Sequence, residues 1–203
     1  MTNSKEKEVE VFFNFDPACP WTWRTSLWLR EVRQVRPITI HWGFVSLAVI
    51  NSNTSNMREL GSFWSQSALQ LLVLVRRQGG DAAVDKLYLA LGQARHVRGE
   101  DLDIAPTLEK ALGEVGLDPA LLAQALADPT TLDELQQSHD HVMQELKAIG
   151  SPTLVIKNGD EQTPAWYGPI INTVPQAEAA GQFWDNISVT MQRDDFFELK
   201  RNR

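Results

Sequence analysis

The sequence predicts an α/β fold in which a βαβ unit and a ββα unit are separated by an all-helical insertion. Three observations predict it. Val9 to Phe15 and Ile38 to Trp42 alternate as strands do, with one helical period between them. Residues 57–149 carry helical periodicity almost throughout. Strand signals return only after Gly150, as a hairpin pattern followed by one more amphipathic helix. The boundaries are 1–56 for the first half, 57–149 for the insertion, and 150–203 for the second half with the C-terminal helix and tail.

Each element has a local cause. Val9, Val11, Phe13 and Phe15 share one face of the first strand, and Asp16-Pro17 breaks it. A helix follows, with Trp23, Leu27, Trp28 and Val32 on one stripe, and Arg36-Pro37 ends it. The short path from strand through helix to Ile38–Trp42 calls for a right-handed parallel crossover. Ser46 to Asn56 reads as a polar-ended connection, with Asn51, Asn53 and Asn56 favouring turns.

The insertion reads as five helices. Leu60, Phe63, Trp64, Leu71 and Leu72 form a stripe that stops at Gly79-Gly80. Asp81 is the expected N-cap of a second helix bearing Val84, Leu87, Tyr88 and Leu91, and Ile104 to Val115 makes a third. Pro119 should take the first position of a short fourth. Thr131-Leu-Asp-Glu134 has the capping-box pattern and should open a fifth, running to Gly150. Beyond it, Thr153–Ile156 is a strand, Asn158-Gly159 a turn and Thr163–Tyr167 the returning strand. Val174-Pro175 opens a last helix through Ala177, Ala180, Phe183, Trp184 and Ile187. Phe196, Phe197 and Leu199 in the tail should dock on the body.

Composition bounds the function. Hydrophobic residues make up 43% and charged residues 22%, enough to fill the core of one globular domain. A net charge of -7 argues against nucleic-acid and anionic-membrane partners, which call for concentrated Lys and Arg. The most apolar run, Leu69 to Val75, is far shorter than the roughly 20 residues of a membrane span. Residues 1–8 are polar and the chain has a single cysteine, so no intrachain disulfide forms; a cytoplasmic protein is expected. The oligomeric state is left open.

Cys19 sits where the first strand ends and the first helix starts, and Pro20 suits that helix's first turn. Unpaired helical N–H groups and the helix dipole favour a thiolate there. The competing role is that of a small buried hydrophobe. Thr22 lies one turn on, so its hydroxyl either donates toward the Cys19 sulfur or fills space. With no second cysteine, thiol chemistry needs an external thiol. Trp23, Trp28 and Trp42 are assigned to the core. Asn51 and His96 are candidate pocket residues, with capping and solvated roles competing. His139 and His141 point to different faces of their helix, so no metal site is expected. No phosphate loop, dinucleotide fingerprint or serine-hydrolase elbow occurs.

Strand, Cys19-Pro-Trp-Thr22 and helix together resemble the active site of DsbA-like thioredoxin-fold oxidoreductases. Phe15-Asp-Pro-Ala-Cys-Pro-Trp21, Ser46-Leu-Ala-Val-Ile-Asn51, Gly150-Ser-Pro-Thr153, Tyr167-Gly-Pro169 and Pro175-Gln-Ala-Glu-Ala-Ala-Gly181 narrow the resemblance. With Trp184-Asp185 and Phe196-Phe-Glu-Leu-Lys-Arg201, they are similar to the mycothiol-dependent nitroreductase branch, in order along nearly the whole chain. One position departs: that family reads Cys-Pro-Trp-Cys, and Thr22 stands at the second cysteine.

The resemblance implies a thioredoxin fold with Cys19 as nucleophile and site of a mixed disulfide. It implies a cis Pro152 beside the sulfur, Ser151 main chain free to pair with substrate, and Trp21 displayed to a flat substrate next to Pro20. The implied cofactor is a low-molecular-weight thiol such as mycothiol, without metal or flavin. The implied substrates are disulfides or nitroaromatics. Kappa-type glutathione transferases and chromene-carboxylate isomerases share the fold with a helical insertion and hold a thiol without redox cycling, so a related enzyme is the alternative. A binding protein for thiol conjugates that has lost catalysis is the third reading.

Overall fold

The computed structural model describes residues 9–202. The polar segment 1–8, used above to argue for the cytoplasm, and Arg203 of the tail lie outside the described residues. Strand β1 (Val9–Phe15) runs between β2 (Ile38–Phe44), to which it is parallel, and β3 (Thr153–Asn158), to which it is antiparallel. Helix α1 (Pro20–Val35) is the crossover from β1 to β2. The far edge of β3 takes two short strands, β4 (Glu161–Gln162) and β5 (Trp166–Tyr167). The single strand expected over Thr163–Tyr167 is therefore divided. Thr163 donates its N–H to Ile156 O (2.9 Å) and accepts the Ile156 N–H on its hydroxyl (3.0 Å). Pro164, which follows, has no N–H with which to continue the ladder.

Period-two alternation buries Val11, Phe13 and Phe15 completely. Phe15 stacks on Tyr88 at 3.8 Å and meets Trp42 and Phe44 edge-on at 5.8 and 5.6 Å. Tyr88 belongs to α4 (Gln66–Gly92), so the sheet and the longest helix share one aromatic core. Trp23, Trp28 and Trp42 are buried in it, as the pattern predicts. Helix α8 (Ala177–Met191) packs on α1. Trp28 Nε1 donates to Ala180 O (3.2 Å), and Arg36 bridges Glu178 (2.7 Å) and Asp185 (2.8 Å).

The helical stretch departs from the sequence reading where local hydrogen bonds outbid periodicity. Ser46 caps a short α2 (Leu47–Ile50) inside the segment read as a connection. Gly61, at φ 67°, ends α3 (Met57–Leu60), so Leu60, Phe63 and Trp64 do not join the Leu71 stripe. The break expected at Gly79-Gly80 is present: Gly80 leaves helical geometry (φ 61°, ψ -161°), and α4 is two helices meeting at that kink. Asp81 is not their cap; its carboxylate accepts from Trp42 N–H (3.0 Å) and pairs with His41 Nδ1 (2.9 Å). Helix α5 (Ala105–Glu114) lies where expected. Helix α6 (Leu121–Ala127) starts after Pro119, because Asp118 Oδ1 holds Ala120 N–H (2.9 Å) in a turn. Asp128, not Thr131, caps α7 (Pro129–Asp140); the buried Thr131 hydroxyl donates to Ala125 O (2.9 Å). A π-helical turn, His141–Glu145, closes this stretch short of Gly150. Helix α8 likewise begins two residues after Pro175. In the tail only Phe196 docks, stacking on Trp166 at 5.6 Å, while Phe197 and Leu199 are 84% and 91% exposed.

The outer edge of β2 is completed by side chains rather than by a strand. Phe44 N–H donates to Ser138 Oγ (3.1 Å), Ser138 Oγ donates to Phe44 O (3.0 Å), and Ser46 N–H donates to His139 Nδ1 (3.2 Å). With Asp81 at Trp42, these bonds anchor α4 and α7 to the sheet.

Gly92 lets α4 approach α1 closely: a Cβ there would lie 2.1 Å from the Trp23 ring. Gly92→Ala should lower unfolding stability by about 1–3 kcal/mol, as overpacking does. Urea denaturation checks this. An unchanged midpoint would show that the two helices separate without cost.

Candidate active site

Strand β1 ends in a loop, and Cys19 caps the helix that follows, at φ -78° and ψ 116°. Pro20 takes the first helical position, exposed, where a missing N–H costs nothing. Cys19 is 4% exposed. Its Sγ accepts from Thr22 N–H at 3.5 Å, and its thiol donates to the Ser151 carbonyl at 3.8 Å. The peptide bond from Ser151 to Pro152 is cis. Residues 132 apart in sequence thus meet at one sulfur.

Thr22 is fully buried, and its hydroxyl does not serve the sulfur as the sequence reading allowed. Thr22 Oγ1 bonds Ser151 Oγ at 3.0 Å, and the group given to Sγ is the main-chain N–H. The hydroxyl pair joins the start of α1 to the turn before β3 directly beside Cys19. Trp21 is half-buried, with the Arg24 guanidinium over its ring at 5.1 Å. Arg24 also donates to Asn172 Oδ1 (2.9 Å).

The other two candidates diverge. His96 lies in a π-helical turn, Gln93–Val97, stacks on Trp23 at 5.8 Å and donates from Nε2 to Pro17 O at 2.9 Å. It therefore braces the loop that carries Cys19. Burial disfavours its imidazolium and holds its pKa below the ordinary value, with Arg95 and Arg24 adding to the effect. Asn51 is exposed at the C-cap of α2, and among the described residues no hydrogen bond ties it to Cys19, Thr22 or Ser151. His139 is buried with Nδ1 accepting from Ser46, a sheet-edge role, and no metal-binding cluster occurs among the described residues.

Sequence reasoning missed Asp16, which it took only as a strand breaker. Asp16 is fully buried below the Cys19 loop. Oδ1 accepts from Ala18 N–H (2.9 Å), and Oδ2 accepts from Leu47 N–H (2.9 Å) and from the Ser65 hydroxyl (3.1 Å). One carboxylate thereby ties the cysteine loop, the start of α2 and the start of α4. The signal available was an acid directly after a strand whose last aromatic is core, where no solvent-facing position remains.

Comparison with known proteins places this geometry. Residues 18–201 match the family model described as Rv2466c-like, mycothiol-dependent nitroreductase Rv2466c. The chain belongs to this family. A relative from Mycobacterium tuberculosis, the uncharacterized protein Rv2286c, is 33% identical over 193 residues, covering 94% of this chain and 81% of that protein. Among solved structures, the cytosolic disulfide reductase DsbM from Pseudomonas aeruginosa with GSH has a TM-score of 0.60 at 15% identity, covering 89% of this chain and 99% of that one. A 2-hydroxychromene-2-carboxylate isomerase has a TM-score of 0.61 at 16% identity, covering 89% and 93%. These likenesses show the DsbA-like thioredoxin fold, and the family's description is that of a thiol-dependent oxidoreductase.

Asp16 generates a pH prediction. Burial raises its pKa from 3.8 to about 6, outweighing the three hydrogen bonds that stabilise the carboxylate. The folded state therefore holds the proton more tightly than the unfolded chain. Stability supplied by this group is complete below pH 3.8 and is lost as pH rises through about 6, on the order of 3 kcal/mol in all. Relative to Asp16→Asn, the wild type should weaken between pH 4 and 7 in urea unfolding. A difference constant across that range would refute the assignment.

Proposed function

We propose that the chain is a thiol-dependent oxidoreductase with one nucleophilic sulfur, Cys19, reducing disulfide or nitroaromatic substrates with a low-molecular-weight thiol, mycothiol first among them. The observation that carries this reading is the seat of Cys19 Sγ at the N-cap of α1, between Thr22 N–H and the Ser151 carbonyl. A main-chain donor and the N-terminal end of the helix both face the sulfur. The donor set fits a small thiol: a nucleophilic sulfur, the Ser151 main chain beside it, and half-buried Trp21 with Arg24 along the rim. Pro20 follows Cys19 and the cis Pro152 follows Ser151, so both are candidate contacts, as is Asn51, while His96 holds the loop. At 4% exposure, Sγ is more accessible to a small thiol or disulfide than to a protein surface.

The bound thiol supplies reducing equivalents. Cys19 thiolate attacks one sulfur of a disulfide; a Cys19–sulfur bond forms, the substrate sulfur–sulfur bond breaks, and one thiolate leaves with the electron pair. Thr22 has no sulfur, so Cys19 is freed only by attack of a second small thiol on the mixed disulfide, which leaves as a new disulfide. Reduction of a nitro group draws on the same couple: two thiols become one disulfide, and two electrons and two protons convert nitro to nitroso and water. The reductase DsbM, described as cytosolic and solved with GSH, supports a small-thiol partner and a reducing compartment. The isomerase likeness keeps one alternative in view, a thiol held without redox change, which the Thr22 departure favours.

Intact mass separates these readings. Wild type incubated with a small-thiol disulfide should gain one thiol at Cys19, and Cys19→Ser should gain none. Thr22→Cys should expel the added thiol and end two mass units below its reduced form, because a sulfur one turn away attacks at high effective concentration. Wild type that resists thiolation would hand the lead to the isomerase-like or binding reading.

A further inference from the structure

We propose a second ligand site, for a small organic oxyanion (a carboxylate or phosphate ester), in the cavity at the outer edge of β2, where Asn14 and Arg76 face one space. The cavity measures about 350 Å³, within the range of small-molecule sites, and takes in Asn14, Gly43, Arg76, Ser138 and His141. It uses none of the groups that touch Cys19 Sγ.

Two donors on its walls are unmatched. Asn14 is 5% exposed, yet its Nδ2 has no hydrogen-bond acceptor among the described residues. The side chain lies flat over Gly43, where any Cβ would collide with Asn14 Oδ1, so the glycine is what lets the amide occupy this place. Arg76 is half-buried with its guanidinium over Phe44 at 4.5 Å, and no hydrogen bond or ion pair engages it among the described residues. Its neighbour Arg77, by contrast, is bound by Asp128 and Glu134. Desolvation lowers the pKa of Arg76, with Glu134 and Asp81 too distant to bond but near enough to oppose the shift.

The chemistry of the remaining walls selects the ligand. The cavity's one carboxylate, Asp81, is committed on both oxygens, to Trp42 N–H and to His41 Nδ1. His141 is paired with Glu145 at 2.7 Å, and Ser138 both donates to and accepts from Phe44. His41 Nε2 lies 3.3 Å from the Glu10 carboxylate without a hydrogen bond, so the groups with no polar partner at all are a neutral amide donor, Asn14 Nδ2, and a cation, Arg76. Water satisfies the amide but gives the half-buried guanidinium no directly bonded anion; an oxyanion bonds both. Phe12 stacked on His41 at 4.8 Å gives the cavity a flat wall, which suits an acid carrying a ring.

The test uses the full chain with inorganic phosphate, phenyl phosphate and benzoate as probes and chloride as the ionic-strength control. At least one oxyanion should raise Tm saturably where chloride does not. In nitrogen-resolved NMR of the wild type, the Asn14 side-chain amide and Arg76 Nε resonances should move together along the titration. Arg76→Gln should weaken binding at least tenfold, while Cys19→Ser should bind as the wild type does, which keeps this result independent of the redox reading. The proposal is overturned if no oxyanion binds saturably, if the Asn14 and Arg76 resonances stay fixed while others move, or if Arg76→Gln binds equally well.

Discussion

The antiparallel ladder between β1 and β3 is the contact on which the candidate active site depends. It pairs Asn14 with Thr153 and Phe13 with Leu154, fixing how far each chain runs beyond the sheet. From that register, β1 needs five more residues to reach Cys19, and β3 needs two in reverse to reach Ser151. A one-residue slip would turn Phe13 and Phe15 out of the core, so aromatic burial enforces the register that aligns sulfur and carbonyl. Function here is a by-product of packing at the same end of the strand.

The loop between Phe15 and Pro20 is held from three directions. Asp16 ties it below, His96 braces it at Pro17, and Thr22 with Ser151 pins the far side. Asp16 and His96 each sacrifice some solvation of their charged forms, which is affordable only because every bond they make ends on this loop or its supports. Burial raises the Asp16 pKa to about 6, and positioning of the loop is what that burial secures. The helical stretch supplies two of these braces, Ser65 and His96. It therefore helps to hold the cysteine loop.

Much of this was legible in the sequence. The βαβ and ββα halves followed from the alternation of Val9–Phe15 and Ile38–Trp42 and from the apolar run at Thr153–Ile156. The special place of Cys19 followed from a strand end, a proline and a helix start. Helix boundaries were less legible, because Asp118, Asp128 and Gly61 decide them through bonds that periodicity does not register. The Thr22–Ser151 bond was out of reach, since it joins residues 129 apart and depends on the turn before β3. Asp16 was hidden by its own neighbour: beside Pro17, a buried acid looks like an ordinary turn. Phe197 and Leu199 misled in the opposite sense, since apolar character alone does not provide a surface to dock on.

The central claim is that one sulfur does the chemistry and its release comes from outside the chain. The direct measurement is the rate at which isolated, Cys19-thiolated protein loses its small thiol when mixed with increasing mycothiol. The account predicts a rate proportional to added thiol and close to zero without it. Release at a fixed rate, independent of added thiol, would contradict it.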